Sequence, residues 1–219
     1  MVHRAGDRGA DSKELLMDAA ERLFAERGFA ATSLRRITAE AGVNLAAVNY
    51  HFGSKEGLIE AVFERCIRPL SSERLRLLDE AEARSGGRPS VELILESFVT
   101  PVLRAASRPS AQITMKLYGR THSAPDSHVR EIFLRQFGGV RERFTAALAH
   151  ALPHLPRAEL YWRLHFAIGA VAQAMADPER LVVLSDGACD PYDADATIAR
   201  LVPFLAAGLR TPWPVEARE

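Results

Sequence analysis

Apolar residues recur at intervals of three and four along nearly the whole chain, while alternating runs bounded by turn residues are scarce. The pattern predicts an all-α protein. After a loose arm over residues 1–11, Ser12 caps a helix reaching to about Arg27, with Leu16, Ala20, Leu23 and Phe24 inward and Gly28 as its stop. Thr32 or Ser33 caps a short helix that turns Leu34, Ile37 and Ala41 inward, and Gly42 supplies a left-handed turn. Asn44 caps a third, very short helix, which "GSK" at 53–55 stops as it opens a fourth. That helix runs toward Ala83, kinked or divided at Pro69. Beyond the linker "RSGGRP" at 84–89, Ser90 caps a helix carrying Pro101, and a segment from about Ala111 to His122 follows. Asp126 caps a long helix to about Leu152, softened by Gly138 and Gly139. Pro156 opens another to Ala176, and the acidic loop "SDGACDPYDAD" separates it from a last helix over Ala194–Leu209.

The most informative stretch is "AGVNLAAVNYHFGSKEGL", residues 41–58. A helix, a glycine turn and a second short helix across it form a helix-turn-helix, whose second helix lies in the major groove. On that reading Ala46 is small where helices cross, Val48 and Phe52 lock the reading helix inward, and positions 45, 47, 49, 50 and 51 face out. The Gly53–Ser54 turn and Lys55 then offer amides and a cation to a phosphate.

Composition narrows this reading without redirecting it. The 219 residues are 47% hydrophobic and 26% charged, enough for one sizeable core or a small module joined to a larger one. Net charge is zero, and residues 1–56 hold eight Lys or Arg against eight Asp or Glu, which argues against indiscriminate coating of nucleic acid but not against local recognition. No run of about 18 apolar residues and no apolar leader is present, so no membrane partner is expected and the cytoplasm is the expected compartment. Cys66 and Cys189 read as ordinary thiols. His150 and His154 stand four apart, but Pro153 lies between them at a helix end, and no metal or other cofactor is expected.

"GFAATSLRRITAEAGVNLAAVNYHFGSKEGLIEAVF" resembles the DNA-binding domain of TetR-family transcriptional regulators, through the glycine-phenylalanine, the "TS" cap, "AGV", "YHF" and the Lys-Glu pair. The resemblance implies phosphate contacts from Ser33, Tyr50, His51 and Lys55, and groove contacts from Arg35, Leu45, Ala46 and Ala47. Arg36, Asn44 and Asn49 complete the candidate DNA-binding set, although Arg36 reads equally as a solvated face. The chain departs from the family where it has Asn49 in place of a common tyrosine and Leu45 in place of a polar residue. Leu45 and Ala47 lack hydrogen-bonding side chains, so apolar contact with thymine methyl groups is the expected readout there, with Arg35 on a guanine. The domains implied are 12–58 for the helix-turn-helix and 59–219 for a larger helical domain that binds ligand and dimerises. "PLSSERLRLLDEAEA" and "ELILESFVTPVL" further resemble the C-terminal domain of a CerR-like group within the family.

The larger half has no GxSxG, P-loop or GxGxxG, and an enzyme is not expected. Phe98, Met115, Tyr118, Phe133, Phe137, Trp162 and Phe166, with His122 and His165 as polar tips, make an aromatic and Met set that reads as core or as cavity lining. The resemblance implies an inducer pocket, which makes them candidate ligand contacts. "LHFAIGAVAQAMA" and "ATIARLVPFLAAGL" are apolar over too wide an arc for helices covering one face of a monomer. Gly169, Ala170, Ala172 and Gln173 of the first, with Leu201, Leu205 and Ala206 of the second, are the candidate interface of the four-helix dimer that the resemblance implies. The expected whole is a homodimeric repressor released from a palindromic double-stranded DNA operator by a small-molecule effector. An activator or a constitutive DNA binder is the alternative, and an all-α enzyme the remote one.

Overall fold

The computed structural model describes residues 5–107, 113–115, 117, 119, 127–176 and 178–213. Among them the regular structure is entirely helical: α1 (Ala5–Arg27), α2 (Leu34–Ala41), α3 (Leu45–Phe52), α4 (Lys55–Arg84), α5 (Val91–Ala106), α6 (Ser127–Gln136), α7 (Gly138–Ala151), α8 (Arg157–Ala176), α9 (Pro178–Leu184) and α10 (Ala194–Arg210). The chain divides into two compact units, residues 1–69 with 110–137 and residues 70–109 with 138–219. The boundary expected between 58 and 59 falls inside α4, which contributes its first half to one unit and its second half to the other.

The caps expected at Ser33, Asn44 and Ser90 are present, and Gly42 closes α2 in the left-handed region at φ 67°. Four expectations differ. α1 begins at Ala5, so Ser12 lies in its third turn instead of capping it and residues 5–11 are helical. Of the kink or division expected at Pro69, division does not occur, since α4 runs through it. The long helix expected over 126–152 is two, α6 and α7, parted at Phe137, because consecutive glycines cost a helix most where the chain changes partners. α9 has no counterpart in the sequence reading. The Asp126 cap lies outside the described residues.

In the first unit, Leu16, Ala20, Leu23 and Phe24 of α1 are buried as their spacing predicts, together with Ile37, Val48, Leu58, Val62 and Phe63. A run of aromatic rings links these helices: Phe24 to Phe29 at 5.1 Å, Phe29 to Phe63 at 5.5 Å, Phe63 to Phe133 at 6.1 Å and Phe133 to Phe137 at 5.0 Å. Arg65 of α4 donates to Asp18 and Glu21 of α1, and Thr114 donates to the other oxygen of Glu21. Burial and the nearby Glu21 push the Cys66 thiol up to about 12, so it stays protonated at neutral pH.

In the second unit, α5 and α10 lie antiparallel along each other. Glu92 pairs with Arg210 at one end and Arg104 with Asp195 at the other. Arg74 of α4 is fully buried, donates through Nε to the Phe98 carbonyl at 2.7 Å and places its guanidinium 4.2 Å from the Phe98 ring centre. No described helix is long and apolar enough to cross a membrane.

Candidate nucleic-acid interface

α2 and α3 are each two turns long, too short to persist alone, so α1 must hold them by packing against both. Their starts are fixed by side chains: Ser33 Oγ accepts from the Arg36 amide at 3.3 Å, and Asn44 Oδ1 from the Ala47 amide at 3.1 Å. Thr32 is buried and donates to the Gly28 and Leu23 carbonyls, which ties the turn before α2 to the end of α1. The turn between α2 and α3 needs Gly42 because an L side chain is strained at its φ.

Seven of the eight α3 residues keep some exposure, and Val48 alone is fully buried. Leu45, Ala46, Asn49 and Tyr50 share the outward side, with Tyr50 85% exposed. Ala47 and His51 are half-buried on the flank of Val48. The spacing predicts Ala46 at a helix crossing and Ala47 facing out. In the structure Ala46 is exposed, while Ala47 and His51, both expected to face out, are half-buried, because α3 is rolled so that the Val48–His51 side, rather than the Ala46 side, meets α1. Ser33, Arg35 and Arg36 of α2 and the cap Asn44 are exposed as well. A surface of two arginines, two apolar groups, two amides, a hydroxyl and a phenol therefore faces outward from one helix pair and its caps.

Lys55 is half-buried, and its Nζ donates to the Phe29 carbonyl at 2.6 Å. An ammonium carries three donors, so this bond leaves room for a phosphate as well. Ser54 Oγ accepts from the Gly57 amide at 3.1 Å and caps α4, leaving that helix start beside the turn. Sequence reasoning passed over Gly57, yet a Cβ built there would lie 2.1 Å from the Phe52 carbonyl oxygen.

The candidate ligand set is spread over three environments. Met115, Phe133 and Phe137 are core residues of the first unit. Phe98 is half-buried in the second, against Arg74 and 5.2 Å from Phe144. Trp162, His165 and Phe166 are exposed on α8. Tyr118 and His122 lie outside the described residues. Trp162 and Phe166 stack at 5.9 Å, and with Gly169 and Gln173 they form one exposed stripe at the spacing of a helix face. Ala170 and Ala172 flank it half-buried. On α10, Leu205 and Ala206 are buried within the chain's own core, while half-buried Leu201, exposed Phe204 and exposed Gly208 form the outward stripe. The three-and-seven spacing of 201, 204 and 208 was available in the sequence and identifies that stripe.

Residues 16–62 match the family described as bacterial regulatory proteins, tetR family, and residues 96–208, more than half the chain, match the tetracyclin repressor-like C-terminal domain. The chain belongs to the TetR family. The second match carries that description rather than the CerR-like one. Among TetR-like relatives, the HTH-type transcriptional regulator YerO of Bacillus subtilis is 27% identical over 152 residues, 64% of this chain and 51% of that protein. The HTH-type transcriptional repressor AcnR of Corynebacterium glutamicum is 36% identical over 58 residues, 26% of this chain and 31% of that protein. The chain thus spans about half or less of the curated relatives' length. The hemolysin II transcriptional regulator HlyIIR has a similar fold, with a TM-score of 0.62 at 18% identity over 90% of this chain and 98% of that one. So does FadR of Bacillus subtilis, solved with stearoyl-CoA, with a TM-score of 0.58 at 14% identity over 89% of this chain and 98% of that one.

Proposed function

We propose that this TetR-family chain acts in the cytoplasm as a homodimeric regulator, a repressor that reads a palindromic operator through α2 and α3 and leaves it when a small molecule binds. The outward face of Arg35, Leu45, Ala46, Asn49 and Tyr50 carries the reading, because it combines groove-sized apolar groups with donors that reach bases and phosphates. Tyr50, Ser33 and Lys55 serve the phosphates, and Arg35 a guanine edge. The thymine-methyl contacts fall to Leu45 and Ala46, since Ala47 is half-buried. FadR, with its stearoyl-CoA, supports a small-molecule effector for this chain too. Such a ligand acts by its differential affinity for the operator-competent and incompetent conformations.

Selection of binding sites from random double-stranded DNA tests the reading. A two-fold symmetric consensus with a guanine in each half-site is expected, and Arg35→Ala loses that guanine preference at a cost of about 1–3 kcal/mol per half-site. No enriched sequence, or an Arg35→Ala consensus identical to the parent's, would refute it.

A second copy of the chain is the partner proposed for the exposed stripes Trp162–Phe166–Gly169–Gln173 and Leu201–Phe204–Gly208. Exposed contiguous aromatic surface of this kind marks an interface, and glycines let helices approach closely. Phe166→Glu places a charge there twice in a two-fold dimer, and a buried aromatic anchor is worth about 2 kcal/mol or more. Sedimentation at micromolar concentration is expected to show a dimeric parent and a monomeric variant. A monomeric parent removes the claim.

A further inference from the structure

Ser12 Oγ of α1 and Nε2 of His51 on α3 are 2.9 Å apart. We propose that His51 is a positioning residue of the reading head, held by Ser12 through Nε2 so that α3 is fixed in roll and Tyr50 in direction. The proposal rests on α3 being the reading helix.

Little else fixes the roll of α3. It is an eight-residue helix with one fully buried side chain, Val48, and two half-buried apolar ones, Ala47 and Phe52, and so few apolar contacts fix where a helix sits better than how it is rotated about its own axis. His51 lies three residues on, about 60° around the axis from Val48 and one turn nearer the C-terminus. A directional bond at that point supplies the second fixed point. It is directional whichever group carries the proton, since an imidazole nitrogen and a hydroxyl can exchange donor and acceptor roles.

The imidazole also touches the residue that faces outward. Its ring centre is 4.9 Å from that of Tyr50, with planes at 77°, an edge-to-face contact, and 6.0 Å from that of Phe52. Tyr50 is the most exposed large side chain of α3, so few other contacts restrict its ring. A path of contacts therefore runs from Ser12 through His51 to Tyr50. It exists because α1 begins at Ala5, which makes Ser12 an interior helix residue facing α3.

The test uses the full chain as parent, Ser12→Ala, His51→Ala, the double variant and His51→Gln, whose side-chain amide can reach the same hydroxyl. Ser12→Ala raises helix propensity in α1, so it does not unfold the protein by weakening that helix. Three quantities are measured: affinity for the operator selected from random DNA, the slope of log affinity against log salt, and amide hydrogen exchange of α3 without DNA. The expected result is a loss of about 3–10-fold in operator affinity for either alanine variant, the scale of one hydrogen bond, with no further loss in the double variant. The salt slope is expected to stay at the parent value in Ser12→Ala, α3 exchange to quicken in both alanine variants, and His51→Gln to recover most of the affinity. A slope reduced by about 0.9 per lost contact in His51→Ala alone, with Ser12→Ala at parent affinity, makes His51 a phosphate ligand and overturns the proposal. Unchanged exchange in Ser12→Ala overturns it as well. A parent that selects no operator counts against α3 as a reading helix, while hydrogen exchange in the free protein still decides whether the Ser12–His51 tether orders α3.

Discussion

Replacing Arg163 by methionine is expected to destabilise the protein by about 3–5 kcal/mol, the usual consequence of removing one partner of a buried ion pair. Arg163 is buried on α8, with Nε donating to Glu159 one turn earlier at 2.7 Å. Its Nη1 donates to the Leu209 carbonyl at 2.8 Å and also to Gly208 and Thr211. Those carbonyls belong to the end of α10, where a helix leaves acceptors unsatisfied and carries partial negative charge. Methionine keeps most of the apolar stem but leaves Glu159 charged and enclosed, and strips the end of α10 of its cation. Chemical denaturation should show the loss as a lower midpoint at an unchanged slope. Glu159→Leu combined with Arg163→Met should recover part of it, since the stranded charge goes. A single variant within about 0.5 kcal/mol of the parent, the range of an ordinary surface change, would mean that the pair contributes little.

Gly57→Ala should damage DNA recognition far more than an alanine inside a helix ordinarily does. On propensity alone alanine is favoured there by about 1 kcal/mol. The added methyl would sit 2.1 Å from the Phe52 carbonyl oxygen and 3.2 Å from its carbon, and both are backbone atoms that no rotamer change can move. Either the end of α3 or the start of α4 must shift, at the cost of overpacking, about 1–3 kcal/mol. The shift falls on the reading helix, beside the turn where Ser54 and Lys55 begin α4. Losing the geometry of even one good base contact per half-site costs about 1–3 kcal/mol, so operator affinity is expected to drop by about tenfold to more than a hundredfold. Fluorescence anisotropy with labelled operator measures this, and thermal unfolding separates it from loss of fold. Parent-like affinity in a folded Gly57→Ala protein would mean that the α3–α4 crossing tolerates the methyl without moving the reading face.

The reading head was legible because its signals are local. Ser33 and Asn44 cap helices with their own side chains, Gly42 takes a φ that other residues avoid, and Leu16, Ala20, Leu23 and Phe24 repeat at the helical period. Each depends on neighbours a few residues away, so the linear order contains it. The rotation of α3 was not legible. Val48 announces a buried side, but whether Ala46 or Ala47 flanks it depends on which part of α1 the helix meets, as at Ser12 and His51, which are 39 residues apart.

The same division holds in the larger half. An apolar arc wider than one packed face was visible in "LHFAIGAVAQAMA" and "ATIARLVPFLAAGL", because residue type alone states how much apolar surface a helix carries. Sorting that surface was the work of packing: Leu205 and Ala206 went into the chain's own core, while Trp162, Phe166 and Phe204 stayed outside. Aromatic residues grouped by type as one candidate pocket separated into core, half-buried and exposed positions, since hydrophobicity records that a side chain gains by burial and not against what it is buried. The sequence by itself determined the helical class, the caps and turns of the reading head, and the family resemblance carried by residues around 28–63. Only the tertiary structure decided the Ser12–His51 tether, the clearance at Gly57 and the Arg163 clasp on α10, because each joins a side chain or backbone atom to a group on another helix, and no period in the sequence encodes which helices meet.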